Sequence, residues 1–507
     1  MHPTFQATPK RRPDRFANIG LMNTTTPSPS FTKTIALVLA TVSVAFVVTQ
    51  LDVTIVNVAL PNIGSRLHAP VSELQWIVDA YTLAFAVLML SAGVFGDRFG
   101  PRRLFAWGLA LFALSSAACG LAPGTGALIA ARAVQGVSAA AMLPNSLALL
   151  NRACSHDPDL RARAVGLWTA SGAISIAAGP VLGGMLIAAW GWRSIFLVNL
   201  PVCAAGLLAI RFWIPRSFDA AARRHKGEKI GIDLPGQLLS VVALTAFTAA
   251  VIELRPLGLA HPLVIAGFAT AVLAALALLF VEARTTAPML PLFLFRDATF
   301  SAAVVFGICV NMAYYGMVFV LSLYLQRVRG DTPLEAGLAF LPLTGGFLFS
   351  NVASGWIVAK HGPRFPMMLG AALGALGDAL LHATQANTPF PLLLVPFLLI
   401  PGGMGLAVPA MTTAILASVD PKRAATASAL LNTARQAGGA LGVAAFGALA
   451  GGAGSDGVMH GLQVSAGIAT GLLVVGVMLS RFIHPDAHAR ERSAARATDE
   501  AGVQGGR

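Results

Sequence analysis

Two stretches of the chain repeat one pattern, and they decide how the rest of the sequence is interpreted. Residues 93–103 read GVFGDRFGPRR, and residues 355–364 read GWIVAKHGPR. Each follows a long apolar segment and ends in Gly-Pro-Arg after at least one basic residue. Gly and Pro favour turns, and basic side chains are costly in hydrocarbon. We therefore interpret both stretches as loops on the same face of a membrane, each placed after a helix that crosses toward that face.

The segments around these loops are long, continuous and apolar. Of the 507 residues, 56% are hydrophobic and only 11% are charged, whereas soluble domains carry about 25% charged residues. Because about 20 apolar residues span the hydrocarbon as a helix, the sequence predicts an all-α integral membrane fold with fourteen transmembrane helices. The predicted spans are 34–60, 75–95, 104–122, 126–149, 163–188, 194–214, 236–255, 262–282, 299–325, 335–359, 366–384, 390–417, 424–450 and 461–481.

The spacing of the two loops predicts the domain organisation. Eight predicted helices separate them, as they would in two parallel six-helix repeats with an inserted pair, and internal repeats build many secondary transporters. The predicted segments are a disordered cytoplasmic N-terminus at 1–33, a six-helix bundle at 34–214, a cytoplasmic loop at 215–235, an inserted helix pair at 236–282, a second six-helix bundle at 299–481 and a disordered cytoplasmic tail at 482–507. Met22 is a second plausible start, so whether residues 1–21 are translated stays open.

The basic residues predict the orientation. When residues near a span end are counted with the adjoining loop or terminus, 28 of the 35 Lys and Arg residues fall in the two termini and the loops on their side of the membrane, five fall on the opposite side, and two, Arg132 and Arg435, lie clearly within spans. By the positive-inside rule, both termini are cytoplasmic in a multi-pass protein of the bacterial inner membrane. The net charge of +13 then reflects topology, so we expect no nucleic-acid partner. The four cysteines lack disulfide or metal spacing, and we expect neither a metal nor a cofactor.

Five charged side chains lie clearly inside predicted spans, away from the span ends: Asp52, Asp79, Asp378, Arg132 and Arg435. At 1.5 Å rise per residue, Asp52 lies roughly 12 Å, Asp79 roughly 6–8 Å and Arg132 roughly 9–10 Å from the outer membrane face. These three should share one layer. Two interpretations remain open: a structural ion pair of Arg132 with Asp52 or Asp79, or a protonatable site that drives antiport. Asp378 fits a hydrated helix end as readily as a functional site.

Glycine, methionine and aromatic side chains mark further candidate functional residues. The fifth span carries Gly172, Gly179, Pro180, Gly183 and Gly184, which fit either simple packing or a flexible seam between the two bundles. The ninth span carries polar and aromatic groups suited to a promiscuous cavity, although plain packing explains such a stripe as well. The candidate cavity residues are Asn57, Gln135, Asn311, Tyr314, Tyr315 and Arg435.

Five segments together resemble the major facilitator superfamily, and within it the fourteen-spanner drug:proton antiporters of the EmrB/QacA type. They are residues 51–61 (LDVTIVNVALP), 93–103, 132–136 (RAVQG), 172–184 and 192–201 (WRSIFLVNLP). The overall sequence is similar to that of methylenomycin-type antibiotic exporters. The resemblance implies that Asp52 and Arg132 serve proton coupling and that Gly179 and Pro180 set an exporter-type bend, while the depth of Asp79 makes it a further candidate for coupling.

The same resemblance implies a cytoplasmic gate at Gly93, Asp97, Arg98, Gly100 and Arg102. Asp97 and Arg98 would hold the cytoplasmic ends of the two bundles together in the outward-open state. The second copy of the pattern departs from the family, because Ala359 stands where the first copy has Asp97. We therefore expect a one-sided gate.

The function expected from these features is proton-coupled efflux of amphipathic drugs or antibiotics by alternating access. The expected partners are a small organic substrate, protons and lipid, and the expected state is a monomer. Export of one endogenous metabolite, or uptake, is an alternative that the sequence leaves open. A membrane-embedded enzyme or sensor would need a catalytic cluster or a folded soluble domain, and no Walker-type phosphate loop is present.

Overall fold

The computed structural model describes residues 32–155, 157–219, 233–285, 288–420, 423–452 and 454–483. All regular structure in these ranges is helical. Most of the predicted N-terminal segment, cytoplasmic loop and C-terminal tail lies outside the described residues, as does the possible extension 1–21. The predictions for those segments therefore stay predictions.

Fourteen long helices make up the described part of the chain. They are α1 Lys33–Leu67, α2 Val71–Phe99, α3 Pro101–Gly120, α4 Thr125–Ala153, α5 Pro158–Trp190, α6 Asn199–Trp213, α7 Leu234–Leu257, α8 Pro262–Arg284, α9 Ala298–Leu323, α10 Leu341–His361, α11 Arg364–His382, α12 Phe390–Ser418, α13 Ala424–Ala450 and α14 Gly454–Leu479. Short helices at Ser194–Leu197 and Pro333–Ala339 precede α6 and α10.

Thirteen helical segments in the described ranges are long and apolar enough to cross a membrane. Their outward faces carry large apolar side chains, as on α8, where Leu273 and Phe280 are exposed. The exception is α13, which has 27 residues but a lower hydropathy because it carries Asn432, Arg435 and Gln436. An all-helical, multi-pass membrane protein is thus confirmed, and the count of fourteen membrane crossings stays a prediction.

The contacts between helices group α1–α6 into one set, here called the first set, and α9–α14 into another, here called the second set, with the pair α7 and α8 beside them. In the first set, α4 packs on α2 and α3, and α5 packs on α1. In the second set, α9 packs on α13 and α14, and α12 packs on α10 and α11. The sets meet where α2 packs on α13 and where α5 packs on α10 and the short helix before it. The pair α7 and α8 packs together, and α7 also contacts α2 and α13.

Side-chain hydrogen bonds join the two sets toward the end of the bundle where α1 ends and α2 begins, here called the α1–α2 end. Gln75 donates through Nε2 to the carbonyl oxygen of Val443, at 3.1 Å, and to that of Ala444. Gln326 donates through Nε2 to the Val58 carbonyl oxygen, at 2.9 Å. The described hydrogen bonds between the two sets all lie toward this end or near the middle of the helices.

The two repeated loops share a backbone conformation. Gly100 has φ = 99° and Gly362 has φ = 73°. Each is followed directly by a proline, Pro101 or Pro363, at the start of the next helix. L-residues with a Cβ atom seldom adopt a positive φ. The glycines thus let α2 and α10 reverse directly into α3 and α11, which is the structural trace of the repeat.

Candidate functional site

A buried ion pair joins α1 to α4. Arg132 donates through Nη1 to Asp52 Oδ2, and the two side chains are 1% and 0% exposed. The same nitrogen donates to Gln135 Oε1 at 2.8 Å, and Arg132 Nε donates to the Ile77 carbonyl oxygen at 2.9 Å. Neutral partners on α2 and α4 therefore hold the guanidinium in addition to the carboxylate. Removing one member of such a buried pair costs about 3–5 kcal/mol.

Side-chain amides satisfy the other oxygen of the Asp52 carboxylate, and the Ser116 hydroxyl oxygen accepts from the same amides. Gln135 Nε2 donates to Asp52 Oδ1 at 3.0 Å and to Ser116 Oγ at 2.8 Å. Asn199, at the start of α6, lies 3.4 Å from both acceptors through Nδ2. Four helices thus contribute to one polar network, here called the coupling cluster: Asp52, Ser116, Arg132, Gln135 and Asn199.

The structure separates Asp79 from the coupling cluster. The sequence left two partners open for Arg132, and the structure pairs it with Asp52. Asp79 is fully buried, and neither of its carboxylate oxygens has a hydrogen-bond partner among the described residues. One helical turn earlier, Gln75 reaches α13, so Asp79 lies on the helix face that turns toward the second set.

A small central cavity lies between the two sets of helices. Its walls come from α1, α2, α9 and α13, and they combine amide, phenol and aliphatic groups. The lining residues are Gln50, Val53, Asn57, Val78, Tyr81, Thr82, Tyr315, Gln436, Gly439 and Val443.

Tyr81 belongs to both the cavity and the environment of the ion pair. The Arg132 guanidinium carbon lies 4.3 Å from the centroid of the Tyr81 ring, within the range of a cation–π contact. The Tyr81 hydroxyl has no hydrogen-bond partner among the described residues, and the residue also lines the cavity. The Tyr81 ring therefore contacts the guanidinium and also lines the central cavity.

The other predicted cavity residues occupy different places. Asn57 and Tyr315 line the central cavity, but Gln135 lies in the coupling cluster. Asn311 donates to the Gly307 carbonyl oxygen of its own helix, at 2.8 Å. Tyr314 lines a second cavity within the second set, and Arg435 lies outside the linings of both cavities. A role in substrate binding stays a prediction for all six residues.

The glycines of α5 face two different partners. A Cβ atom at Gly183 would lie 2.7 Å from Ile55 Cγ1, and those at Gly172 and Gly179 would overlap the side chains of Phe46 and Thr54. Gly184 instead packs against the backbone of the short helix before α10, where a Cβ atom would lie 2.6 Å from the Pro333 carbonyl oxygen.

These contacts lie both within the first set and between the two sets, so simple packing and a flexible seam both stay predictions. Gly179 and Gly183 bring α5 close to Thr54 and Ile55, beside Asp52 on α1, and Gly172 contacts Phe46 earlier on the same helix, all within the first set. Gly184 lies at the contact between the sets, and the Pro180 carbonyl oxygen lies beside Gly337 of the short helix.

The predicted gate residues lie at the opposite end of the bundle, within the first set. Arg102 Nε donates to the Ile214 carbonyl oxygen at 2.8 Å, and its backbone N–H donates to Asp219 Oδ1 at 3.1 Å. Asp97 lies 4.0 Å from Arg152 and is 68% exposed. Arg98 is exposed, and a Cβ atom at Gly93 would meet open space. A contact from these five residues to the second set is not among the described interactions.

Sequence reasoning missed several members of these sites. Ser116, Asn199 and Tyr81 sit in otherwise apolar spans, where a single hydroxyl or amide usually bonds its own helix. Asp219 was missed because it follows a predicted span and resembles an ordinary loop residue. Asn199 carried the one available signal, because it falls within the segment 192–201 that supported the resemblance.

Comparison with known proteins agrees with this architecture. The family model of the Major Facilitator Superfamily matches residues 42–443. The chain is 38% identical over 402 residues to the methylenomycin A resistance protein of Streptomyces coelicolor, covering 79% of this chain and 83% of that protein. It is 37% identical to the multidrug resistance protein Stp of Mycobacterium tuberculosis, over 79% and 73% of the two chains. It is 36% identical to the puromycin resistance protein pur8 of Streptomyces alboniger, over 85% and 87%.

Solved structures show the same fold at low sequence identity. The nucleoside transporter NupG superposes with a TM-score of 0.62 at 11% identity, covering 89% of this chain and 99% of that one. A bacterial homologue of the human lysosomal transporter Spinster, in an inward-facing conformation, superposes with a TM-score of 0.62 at 17% identity, over 90% and 98%. Family model, relatives and fold agree, and this chain belongs to the Major Facilitator Superfamily as a secondary transporter rather than an enzyme.

Proposed function

We propose that this transporter exports amphipathic organic compounds, antibiotics among them, in exchange for protons. The observation that carries the proposal is the position of Tyr81, which contacts the Arg132 guanidinium and lines the central cavity. Protonation of Asp52 would remove the counter-charge of Arg132. The guanidinium would then be held by neutral oxygens and by the rings of Tyr81 and Phe196, and through Tyr81 the charge state of Asp52 would affect the cavity wall.

Alternating access supplies the directionality. We propose that both termini are cytoplasmic in the bacterial inner membrane, in line with the distribution of basic residues. The α1–α2 end is then the outer end, and the contacts concentrated there correspond to an inward-facing arrangement. Asp52 would take up a proton when the outer side opens and release it after the outer side closes, while Asp79 is the next candidate for this role.

The proposed organisation has fourteen crossings, with α13 as the thirteenth. The first bundle is residues 34–214, the second is residues 299–481, and residues 236–282 form the inserted pair in a monomer. The hydrogen bond from Gln237 Nε2 to the Val87 carbonyl oxygen, at 2.7 Å, supports this arrangement because it attaches the pair to the side of α2. The arrangement of α13 between α9 and α2 gives its polar residues protein neighbours rather than lipid.

The substrate class follows from the relatives and from the cavity. The relatives are named for resistance to methylenomycin A, to puromycin and to multiple drugs. Amide groups of Gln50 and Gln436 and the ring of Tyr315 line the cavity beside aliphatic side chains. Such a mixture suits organic molecules with both apolar and polar parts.

A drug-susceptibility panel in an efflux-deleted bacterial host tests the proposal. Methylenomycin A, puromycin and ethidium are applied with and without a protonophore, to cells that carry the wild-type chain or Asp52→Asn. We expect resistance to at least one compound, lost with the protonophore and in Asp52→Asn. Resistance that persists in both conditions would exclude proton coupling through Asp52, and sensitivity to every compound at normal protein abundance would exclude this substrate class.

A further inference from the structure

A second buried carboxyl lies in the second set of helices. Asp378 on α11 is 1% exposed, and its Oδ1 atom has no hydrogen-bond partner among the described residues. It lines a cavity with a volume of about 10 Å³, which is room for about one water molecule. The other walls are glycine and aliphatic residues, together with Tyr314 and Met404. A drug-sized molecule cannot enter this cavity, whereas a proton or a single water molecule can.

The cavity occupies the position that the coupling cluster holds in the first set. The two sets can be aligned residue by residue. Pairing Gly100 with Gly362 in the two repeated loops aligns α1–α3 with α9–α11, and pairing Pro144 with Pro409 aligns α4 with α12. The equivalent positions are Asp52 with Tyr314, Ser116 with Asp378, Arg132 with Phe397, and Gln135 with Ile400.

The register brings together residues that are neighbours in the structure. Tyr314, Asp378 and Ile400 line one cavity, just as their counterparts form one network in the first set. The difference is chemical. The second set keeps an acid but has moved it from the first helix of the repeat to the third, and it has Phe397 in place of the arginine.

Among the described residues, no counter-charge faces Asp378 from the helices packed against it. α12 contains no ionisable residue. α9 presents the neutral phenol of Tyr314, and on α11 itself His382 is exposed and bonds the Gln463 carbonyl oxygen at 2.7 Å. The remaining charged or titratable groups of α10, α11, α14 and the turn after α14 lie at helix ends and are exposed: Lys360, His361, Arg364, Asp456, His460 and Arg481.

We propose that Asp378 is a second proton-binding site, independent of Asp52. A carboxylate without a partner in a cavity of this kind is far less stable than the neutral acid. Asp378 would therefore hold its proton while the cavity is closed, and release it to water when movement of α11 against α12 hydrates the cavity. The binding step transfers one proton from water to the carboxylate and needs no other reactant. Only its role in the transport cycle rests on the proposed proton coupling.

Infrared spectroscopy of the purified full-length protein in lipid nanodiscs tests this site without a substrate. Spectra are compared between about pH 6 and about pH 9, a range in which exposed carboxyls stay ionised because their pKa values are near 4. We expect a protonated-carboxyl band that decreases toward high pH. Asp378→Asn should remove its share of that band, whereas Asp456→Asn, an exposed acid in the same set, should leave the band unchanged.

Two further variants make the result decisive. Asp52→Asn reports on the first site separately, so a failure of the proposed function and a failure of this inference give different spectra. Asp378→Glu keeps a carboxyl and should shift the position of the titrating band, which covers the case in which Asp378→Asn does not fold. A band that is unchanged in Asp378→Asn, or unshifted in Asp378→Glu, would overturn the assignment.

Discussion

At the scale of single residues, the ion pair between Asp52 and Arg132 gives the sharpest prediction. Asp52→Asn is a fixed mimic of the protonated acid, so we expect it to abolish uphill export while substrate binding persists. Arg132→Lys keeps the charge but loses the planar fork that contacts Asp52, Gln135 and the Ile77 carbonyl oxygen, so we expect impaired coupling. Efflux driven by a pH gradient in proteoliposomes, with ligand binding in detergent, measures both effects.

A purely structural pair would behave differently. Each neutral single variant would then lower membrane abundance by leaving one charge unpaired, at about 3–5 kcal/mol, and the double variant Asp52→Asn, Arg132→Gln would restore abundance. Wild-type uphill export by Asp52→Asn would contradict the coupling role and direct attention to Asp79.

Tyr81 gives a second prediction at this scale. Its hydroxyl has no partner among the described residues, so Tyr81→Phe should transport nearly as the wild type does. Tyr81→Leu removes the ring beneath the guanidinium, where cation–π contacts contribute about 0.5–2 kcal/mol. We expect Tyr81→Leu to lower uphill export several-fold at similar abundance. Equal activities of the two variants would show that the ring does not connect the cluster to the cavity.

Sequence reasoning reached the charged members of the site but not its neutral members. An intramembrane charge is costly enough to stand out, and helix rise alone placed Asp52 and Arg132 in one layer. The choice between Asp52 and Asp79 as the partner of Arg132 could not be made, because depth fixes height along a helix and not direction around it. Ser116 gave no signal, since a hydroxyl in a membrane helix can bond its own backbone, and the only signal for Asn199 was its place in the segment 192–201.

At the scale of helices, the close approach of α5 to α1 is testable through one glycine. A Cβ atom at Gly179 would overlap the Thr54 side chain, with Thr54 Cβ only 2.9 Å away. Gly179→Ala should therefore displace the turn of α1 that carries Asp52, and overpacking of this kind costs about 1–3 kcal/mol. We expect reduced transport and a lower melting temperature in detergent.

Gly166 provides the matched control, because it lies on the same helix and a Cβ atom there would meet nothing within 4 Å. Gly166→Ala should match the wild type in both measurements. Parallel losses in both variants would mean that α5 responds to helix propensity rather than to its contact with α1.

Helix positions were predictable where apolar length decides them, and helix ends were not. α1 was predicted over 34–60 but continues to Leu67. The prediction stopped early because the residues beyond Pro61 are not apolar enough to count as part of a membrane span. The tenth predicted span, 335–359, is divided at Phe340. Pro342 lacks the backbone N–H that would continue the hydrogen-bond pattern through this point.

At the scale of the whole molecule, the sequence predicts the set of helices but not which state they adopt, since both states of an alternating-access cycle are built from the same residues. Asp97 illustrates the point. It was predicted to hold the two bundles together, yet here it is 68% exposed and only 4.0 Å from Arg152 of its own set, a contact that contributes little at a surface. The prediction concerns the state in which the cytoplasmic ends approach each other.

Asp97→Asn should therefore shift the conformational equilibrium without touching substrate. Spin labels at Asn151→Cys on α4 and His361→Cys on α10 report the separation of the two sets at the end opposite the α1–α2 end, since both positions are exposed and the four native cysteines are buried. We expect the population in which the two labels lie close together, which is the state with the cytoplasmic ends closed, to fall about 5-fold. This is the effect of about 1 kcal/mol on a two-state equilibrium. Transport should be slower, and ligand affinity should be unchanged. Asp456→Asn, an exposed acid at the other end, should keep the wild-type distribution. Loss of ligand binding with unchanged distances would instead place Asp97 in the binding pathway and remove it from the gate.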